Sequence, residues 1–129
     1  MPHYLLSGQL PDNFDPSTMD EATIHAINAL NDEMEAAGIR IVAGGLSAPG
    51  QAKSLRPQPN GQVLITDGPF VEAKEHVGGL SIIEAADMDE ALAWARKAVV
   101  AGRMPLEVRE IPYSNLPRGT AHPSRMRKP

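Results

Sequence analysis

Four ionisable side chains in one short stretch could do chemistry: Asp67, Glu72, Lys74 and His76. Asp67 precedes a Gly-Pro pair at 68–69, which is typical of a tight turn. A carboxylate that a rigid turn holds at the edge of a pocket suits general acid–base catalysis or ligand anchoring. The same carboxylate would instead fix the turn if it accepted hydrogen bonds from backbone amides one or two residues on. The sequence leaves both interpretations of Asp67 open.

The charged segment after this turn contains a second set of candidate residues. Lys74 offers a cation to an anionic ligand, and Glu72 would orient it because alternate residues of an extended segment share a side. His76 adds a polar group beside them. We therefore predict that Glu72, Lys74 and His76 bind a ligand, although a solvated charged stretch would have the same composition. Phe70 is expected to anchor the loop in the core.

The chain contains no cysteine, which excludes disulfides, thiolate catalysis and cysteine-rich zinc sites. Its four histidines lack the spacing of a helical zinc motif, and no Ser-His-Asp or nucleophile-elbow pattern occurs. We therefore predict neither a metal nor a cofactor. A chain without cysteine fits a reducing compartment, and the N-terminus lacks the basic and apolar regions of a signal peptide. The expected location is the cytoplasm.

Hydrophobic periodicity and turn-forming residues predict the elements that must position these side chains. The expected order is a strand at 3–8, a helix to about residue 37, a strand at 39–43, a hairpin at 52–66, a strand at 79–86, a helix to residue 102 and a strand at 106–111. Ser17 or Thr18 should cap the first helix, and Asp87 should cap the second. The Asn-Gly pair at 60–61 marks the turn of the hairpin.

With the small hairpin set aside, this order is βαββαβ, the ferredoxin-like arrangement of the α+β class. Two helices on one face of an antiparallel sheet leave the other face bare. The simplest cover is a second copy, because two-fold homodimers are the commonest assembly. We therefore expect a homodimer. Residues 1–111 should form the domain, whereas 112–129 form a basic, proline-rich tail that we expect to be mobile.

The net charge of −4 is unevenly distributed. The tail contains four basic residues and no carboxylate, which leaves eight basic against sixteen acidic residues in the body. Such a body is a poor nucleic-acid binder, because phosphate contacts need clustered Lys and Arg. No apolar run approaches the ~20 residues that span a bilayer, so we predict no membrane-spanning segment.

Residues 66–75 read TDGPFVEAKE and are followed by the paired glycines 78–79 and an apolar strand. This block resembles the signature of the YCII-related proteins of the Asp-Gly-Pro-Phe type. The similarity extends through 84–95, includes 36–38 and 44–46, and covers most of residues 3–111 but none of the tail. The resemblance implies a ferredoxin-like fold paired into a dimeric α/β barrel, with a pocket between sheet and helices in each protomer.

The resemblance also implies a catalytic pair. Some YCII-related proteins are thought to use a His–Asp pair with the histidine near the first helix, and the matching residue here is His25, with Asp67 as its partner. At 100° per residue, however, His25 falls nearly opposite the apolar stripe of that helix, which consists of Ile24, Ile27, Leu30 and Met34. We therefore expect His25 to face solvent, which argues against the pair.

Three functions remain open. The family's members largely lack an assigned reaction, and the first function is a homodimeric small-molecule-binding or accessory protein. The second is a cofactor-independent enzyme, a lyase, isomerase or hydrolase, in which Asp67 is the acid/base and Lys74 stabilises developing negative charge. The third is an interaction module that docks its basic tail on an acidic partner. Catalysis by Asp67 loses its basis if the carboxylate is tied up by turn amides and faces away from any cavity.

Overall fold

A computed structural model describes residues 1–70 and 73–112 of the chain. The strands and helices of this part are β1 (His3–Pro11), α1 (Glu21–Ala36), β2 (Arg40–Gly45), β3 (Lys53–Pro57), β4 (Val63–Asp67), β5 (Glu75–Glu84), α2 (Met88–Gly102) and β6 (Leu106–Ile111). Their order is the predicted one. None of the helices in the described residues is long and apolar enough to cross a bilayer. The tail that we expected to be mobile lies outside the described residues from position 113 onward.

Four of the strands form one antiparallel sheet in the order β2-β5-β1-β6. The α+β class is therefore confirmed, and the topology is compatible with the ferredoxin-like arrangement. The remaining two strands, β3 and β4, pair only with each other, in the hairpin that the Asn-Gly signal predicted. The chain thus consists of a helix-covered sheet and a separate two-stranded arm.

The core lies between the sheet and the two helices. Its largest fully buried side chains are Leu6 from β1, Met34 from α1 and Ile83 from β5. Ala91 and Ala95 of α2 are also buried in this cluster, and such small side chains let a helix pack close to a sheet. Both helices therefore cover the same face of the sheet.

The helix N-termini follow the capping rule, although not always at the predicted residue. Oδ1 of Asp87 accepts a hydrogen bond from the N–H of Glu90 at 2.9 Å, so the predicted cap of α2 is confirmed. Oδ1 of Asp20 accepts from the N–H of Thr23 at 2.7 Å and caps α1. The prediction of a cap at 17 or 18 is wrong because those residues form a separate 3-10 turn, Pro16–Thr18, ahead of the helix.

Strand β5 begins four residues before its predicted start, because the segment 75–77 pairs with the end of β1. A β-bulge interrupts this pairing. Gly8 lies opposite Gly79, whereas Gln9 lies opposite Val77, so Gly78 is the extra residue. Glycine within a strand is typical of such a bulge or of a close backbone approach.

The face of the sheet that points away from the helices also carries apolar side chains. Leu5, Leu80 and Ile82 are half-buried there, and Val42 is exposed. This is the face that the sequence analysis expected to be bare.

Candidate functional site

An open cleft of about 350 Å³ lies between the sheet and the helices; we call it the helix–sheet cleft. Its walls are mostly apolar and come from β1, α1, α2 and the start of β6, with Leu6, Leu10, Ile27, Leu30, Met34, Ala98, Ala101, Met104 and Leu106 among them. This volume is at the small end of typical ligand pockets, which are likewise mainly apolar. The cleft can therefore hold a small molecule.

The floor of this cleft is made by glycines on three adjacent strands: Gly8, Gly44, Gly45, Gly78 and Gly79. Where a sheet has no side chains, its backbone is open to a ligand or to another close neighbour. A Cβ built on Gly45 would have nothing closer than the carbonyl oxygen of Gly78 at 3.8 Å. The space above Gly45 is therefore empty rather than filled by the core.

Three polar side chains line the same cleft: Asn31 from α1, Arg40 from β2 and Ser81 from β5. Asn31 and Ser81 form no side-chain hydrogen bond with any other described residue. Nη2 of Arg40 donates to Oε2 of Glu35 at 2.9 Å, which leaves its other guanidinium N–H groups uncommitted within the described part of the chain. An apolar cleft with a few available polar groups is the usual form of a ligand site.

A second, smaller cavity of about 190 Å³ lies where β1 ends and β5 begins; we call it the His76 cavity. Oδ1 of Asp12 lies 3.1 Å from Nε2 of His76, within ion-pair distance. The two atoms are not aligned for a hydrogen bond, so this buried nitrogen is unsatisfied among the described residues. Phe14 and Leu46 contribute apolar walls. The cavity thus joins a His–Asp contact to an apolar space.

A backbone hydrogen bond between Asp12 and the signature segment, residues 66–75, places Asp12 beside His76. The N–H of Asp12 donates to the carbonyl oxygen of Lys74 at 2.7 Å, which continues the β1–β5 pairing beyond the strands. The Lys74 side chain itself is exposed. Glu72, the third predicted ligand-binding residue, lies outside the described residues.

Asp67 lies at the end of the β3–β4 hairpin and lines neither the helix–sheet cleft nor the His76 cavity. Its side chain is 85 % exposed and forms an ion pair with Lys53, its cross-strand partner. Within the described residues, its carboxylate does not accept a hydrogen bond from the turn that follows, which was one of the two interpretations left open. The N–H of Gly68 donates to the carbonyl oxygen of Ala52 at 2.7 Å, and Pro69 has no N–H.

Phe70 does not anchor the loop in the core of the protomer. It is 56 % exposed, and the guanidinium of Arg56 lies 4.6 Å from the centre of its ring. The prediction of a buried Phe70 is therefore wrong for the single chain. The aromatic residue follows a hairpin that does not pair with the main sheet, so no core is close enough to receive it.

His25 faces solvent, as the helical geometry predicted. It lies in a shallow depression on α1 beside Glu21, Asn28 and Asp32, and Asp67 does not line this depression. Within the described residues, the structure does not bring His25 and Asp67 together. Their catalytic role stays a prediction that rests on the resemblance.

Shifted pKa values occur at three groups of the described residues, and none of the three lines the helix–sheet cleft. Burial raises the pKa of the Tyr4 phenol. Hydrogen bonds from Ser17 lower the pKa of Asp15, and those from Thr23 lower the pKa of Asp20. The two aspartates thus stabilise local structure. The described residues also contain no cluster of three or more groups that could hold a metal ion.

Sequence reasoning missed two residues of these sites, Arg40 and Asp12. Arg40 was read only as part of a strand, and its position in the cleft depends on how β2 packs beside β5. Asp12 follows the predicted first strand at 3–8, where the sequence indicates no regular element. An earlier start for β5 would have placed Asp12 near His76, because Leu10 pairs with His76.

The fold and the cleft define a small α+β protein in which two helices cover one face of an antiparallel sheet and leave a ligand-sized space. The chain belongs to the YCII-related domain family, which matches residues 1–111. It is also 34 % identical over 77 residues to an uncharacterised protein of Rhizobium meliloti (strain 1021), an alignment that covers 60 % of this chain and 61 % of the relative. The chain thus spans about three fifths of the length of that curated relative.

Proposed function

We propose that this chain is a homodimeric small-molecule-binding or accessory protein whose ligand occupies the helix–sheet cleft. The observation that carries the proposal is the mostly apolar cleft of about 350 Å³ beside the core, with open space above Gly45 on its floor. A cleft of this size with mainly apolar walls and a few polar groups is the usual form of a small-molecule site. The absence of cysteine supports a cytoplasmic location.

The homodimer is supported by the hairpin arm. Leu55, Val63, Leu64 and Ile65 are each between 47 % and 61 % exposed, although they are apolar residues of β-strands. An isolated two-stranded hairpin is marginally stable in water, so such an arm needs further contacts. A two-fold dimer supplies them by presenting the same surface from a second copy. The apolar outer face of the sheet offers a second surface for the same contact, and a dimeric α/β barrel would cover it.

A thermal-shift screen of a metabolite library tests the ligand site. The variant Gly45→Val fills the cleft, since Gly45 pairs with Gly79 on the side that faces the helices. The matched control is Gly50→Ala, whose Cβ meets nothing within 4 Å and which does not line the cleft. Ligands that stabilise the wild type and the control but not Gly45→Val are expected. Equal stabilisation of all three proteins, or no stabilising ligand, would contradict the proposal.

The assembly is tested by the solution mass of the full chain. We expect a dimer for the wild type and a monomer for Ile65→Lys, because Ile65 is 61 % exposed in the single chain and its replacement costs the protomer little. Gln62→Lys, at an exposed position beside the same hairpin, is the control and should leave the dimer intact. A monomeric wild type would refute the homodimer.

The contact between His76 and Asp12 favours a second candidate function, a cofactor-independent enzyme of the lyase, isomerase or hydrolase type. The sequence assigned the acid/base role to Asp67, and that assignment stays a prediction. Histidine is the most frequent general acid or base in enzymes, and Asp12 places a carboxylate beside this one. The His76 cavity provides an apolar space beside this pair.

The two enzyme assignments are separated by following the conversion of each stabilising ligand by mass spectrometry. Loss of turnover by about 100-fold or more in His76→Gln and Asp12→Asn, with Asp67→Asn active, would support the His76 cavity. Loss in Asp67→Asn alone would support the prediction from the sequence. No conversion of any bound ligand would leave the binding function and reject the enzyme.

A further inference from the structure

We infer that the ligand of the helix–sheet cleft is an amphipathic organic acid, with its apolar body over the glycine floor and its carboxylate at Arg40. This inference rests on the proposed binding function and specifies its substrate class. Three observations support it: the single charged residue in the described lining of the cleft, the order of residues along β2, and the geometry of the ion pair between Arg40 and Glu35.

Arg40 is the one charged residue among the described residues that line the cleft. Its guanidinium is permanently cationic and presents a planar fork of N–H donors that matches a carboxylate. The rest of the lining is apolar or carries only neutral polar groups, such as Asn31 and Ser81. A ligand that complements this surface therefore needs a large apolar part and one negative charge.

The order of residues along β2 places the cation and the glycines at opposite ends of the cleft. Arg40 lies opposite Ile83 and Gly45 lies opposite Gly79, four residues apart on β5, which places the Cα atoms of Arg40 and Gly45 roughly 13 Å apart at the usual rise of a strand. Ser81 lies between them, opposite Ala43. A flat body over the glycines and an acidic group that reaches toward Arg40 would use both ends at once.

The ion pair between Arg40 and Glu35 does not account for the position of Arg40. The side chain of Glu35 is 67 % exposed, whereas that of Arg40 is 28 % exposed, so the carboxylate lies toward solvent and the cation lies toward the cleft. An exposed pair of this kind contributes little to stability. Only one terminal nitrogen, Nη2, is used in it. Glu35 would instead weaken acid binding, since it competes for the same guanidinium.

Titration calorimetry with two matched probes tests the inference: 2-naphthoate and the neutral 2-naphthalenemethanol. The wild type should bind the acid about tenfold or more tightly than the alcohol, as expected for a charge-assisted hydrogen bond. Arg40→Gln should abolish this preference and leave the affinity for the alcohol unchanged. Glu35→Gln should increase the affinity for the acid several-fold and leave the affinity for the alcohol unchanged. Circular dichroism and the melting temperature check that each variant is folded.

The outcomes separate this inference from the proposed function. Equal binding of acid and alcohol, a preference that persists in Arg40→Gln, or failure of the acid to bind would overturn the inference. If the alcohol still binds and Gly45→Val blocks it, the cleft is a ligand site for neutral molecules and the proposed function stands. If Gly45→Val leaves the binding of both probes unchanged, the cleft is not their site and the inference is also overturned.

Discussion

Leu10 occupies the space that a side chain on Gly78 would need: Cγ of Leu10 lies 2.6 Å from the position of a Cβ built on Gly78. Both residues line the helix–sheet cleft and also the His76 cavity. Their contact therefore forms the wall between the two cavities. Any side chain at Gly78 must displace Leu10 and alter both spaces.

Gly78→Ala should lower the free energy of unfolding by about 1–3 kcal/mol, the usual cost of overpacking, because Leu10 must leave its position. Urea denaturation measures this change. Gly50→Ala is the control, since a Cβ there meets nothing within 4 Å. Equal stability of the two variants would show that Leu10 moves aside without cost.

Asp87→Ala should destabilise the protein by about 1 kcal/mol, because it removes the side chain that accepts the N–H of Glu90 at the start of α2. Asp89→Ala serves as the control: it removes a carboxylate from the same helical turn but not the capping hydrogen bond. Chemical denaturation of both variants provides the comparison. A control as unstable as Asp87→Ala would mean that charge, rather than capping, matters at this end.

Protonation of the Asp20 carboxylate should make the protein less stable in acid. Hydrogen bonds from Thr23 lower its pKa in the folded state below the ordinary value of 3.8. A lowered folded pKa means that Asp20 contributes stability above its unfolded pKa, and that this contribution is lost as the pH falls through the folded value. Asp20→Asn keeps a capping side chain but cannot titrate, so its stability should fall less steeply over this acidic range.

The control for this pH experiment is Asp32→Asn, at an exposed position in the interior of α1. Melting temperatures measured from neutral to acidic pH should follow the wild type for Asp32→Asn and diverge from it for Asp20→Asn. Parallel curves for all three proteins would argue against a role of Asp20 in acid stability.

Asp67→Asn should change the free energy of unfolding by less than about 1 kcal/mol, because its ion pair with Lys53 is exposed on both sides. Lys53→Gln should have an equally small effect. These two variants make a functional role of Asp67 testable. If both keep the stability of the wild type, a loss of ligand binding or turnover that is specific to Asp67→Asn cannot come from unfolding. A drop of several kcal/mol would instead show that Asp67 is structural.

The order of elements was predictable because local signals determine it. The Asn-Gly pair specifies the hairpin, and Asp87 followed by Glu90 specifies the start of α2. The cap of α1 was missed because Asp15 accepts hydrogen bonds from Ser17 and thereby stabilises a separate turn. Short polar segments of this kind offer several competing side-chain acceptors, and periodicity does not choose among them.

The candidate sites were less predictable because they depend on which strands are neighbours. Asp12 and His76 are distant in sequence, and their contact follows from the pairing of β1 with β5. Arg40 enters the cleft only because β2 lies beside β5. The signature drew attention to Asp67 by its turn chemistry, whereas the cavities formed elsewhere. The prediction of a buried Phe70 was wrong for a related reason, since its burial would require a neighbour that the protomer does not supply.

A β-bulge absorbs one additional residue, so the residues before it keep their cross-strand partners. Without this bulge, strict alternation from Ser81 and Gly79 through Gly78 would turn Val77 toward the helices and His76 toward the opposite surface. With it, His76 shares the side of Leu10, its cross-strand partner. The imidazole therefore reaches its cavity because β5 does not alternate regularly at Gly78, and deleting this glycine would remove the bulge while leaving His76 opposite Leu10.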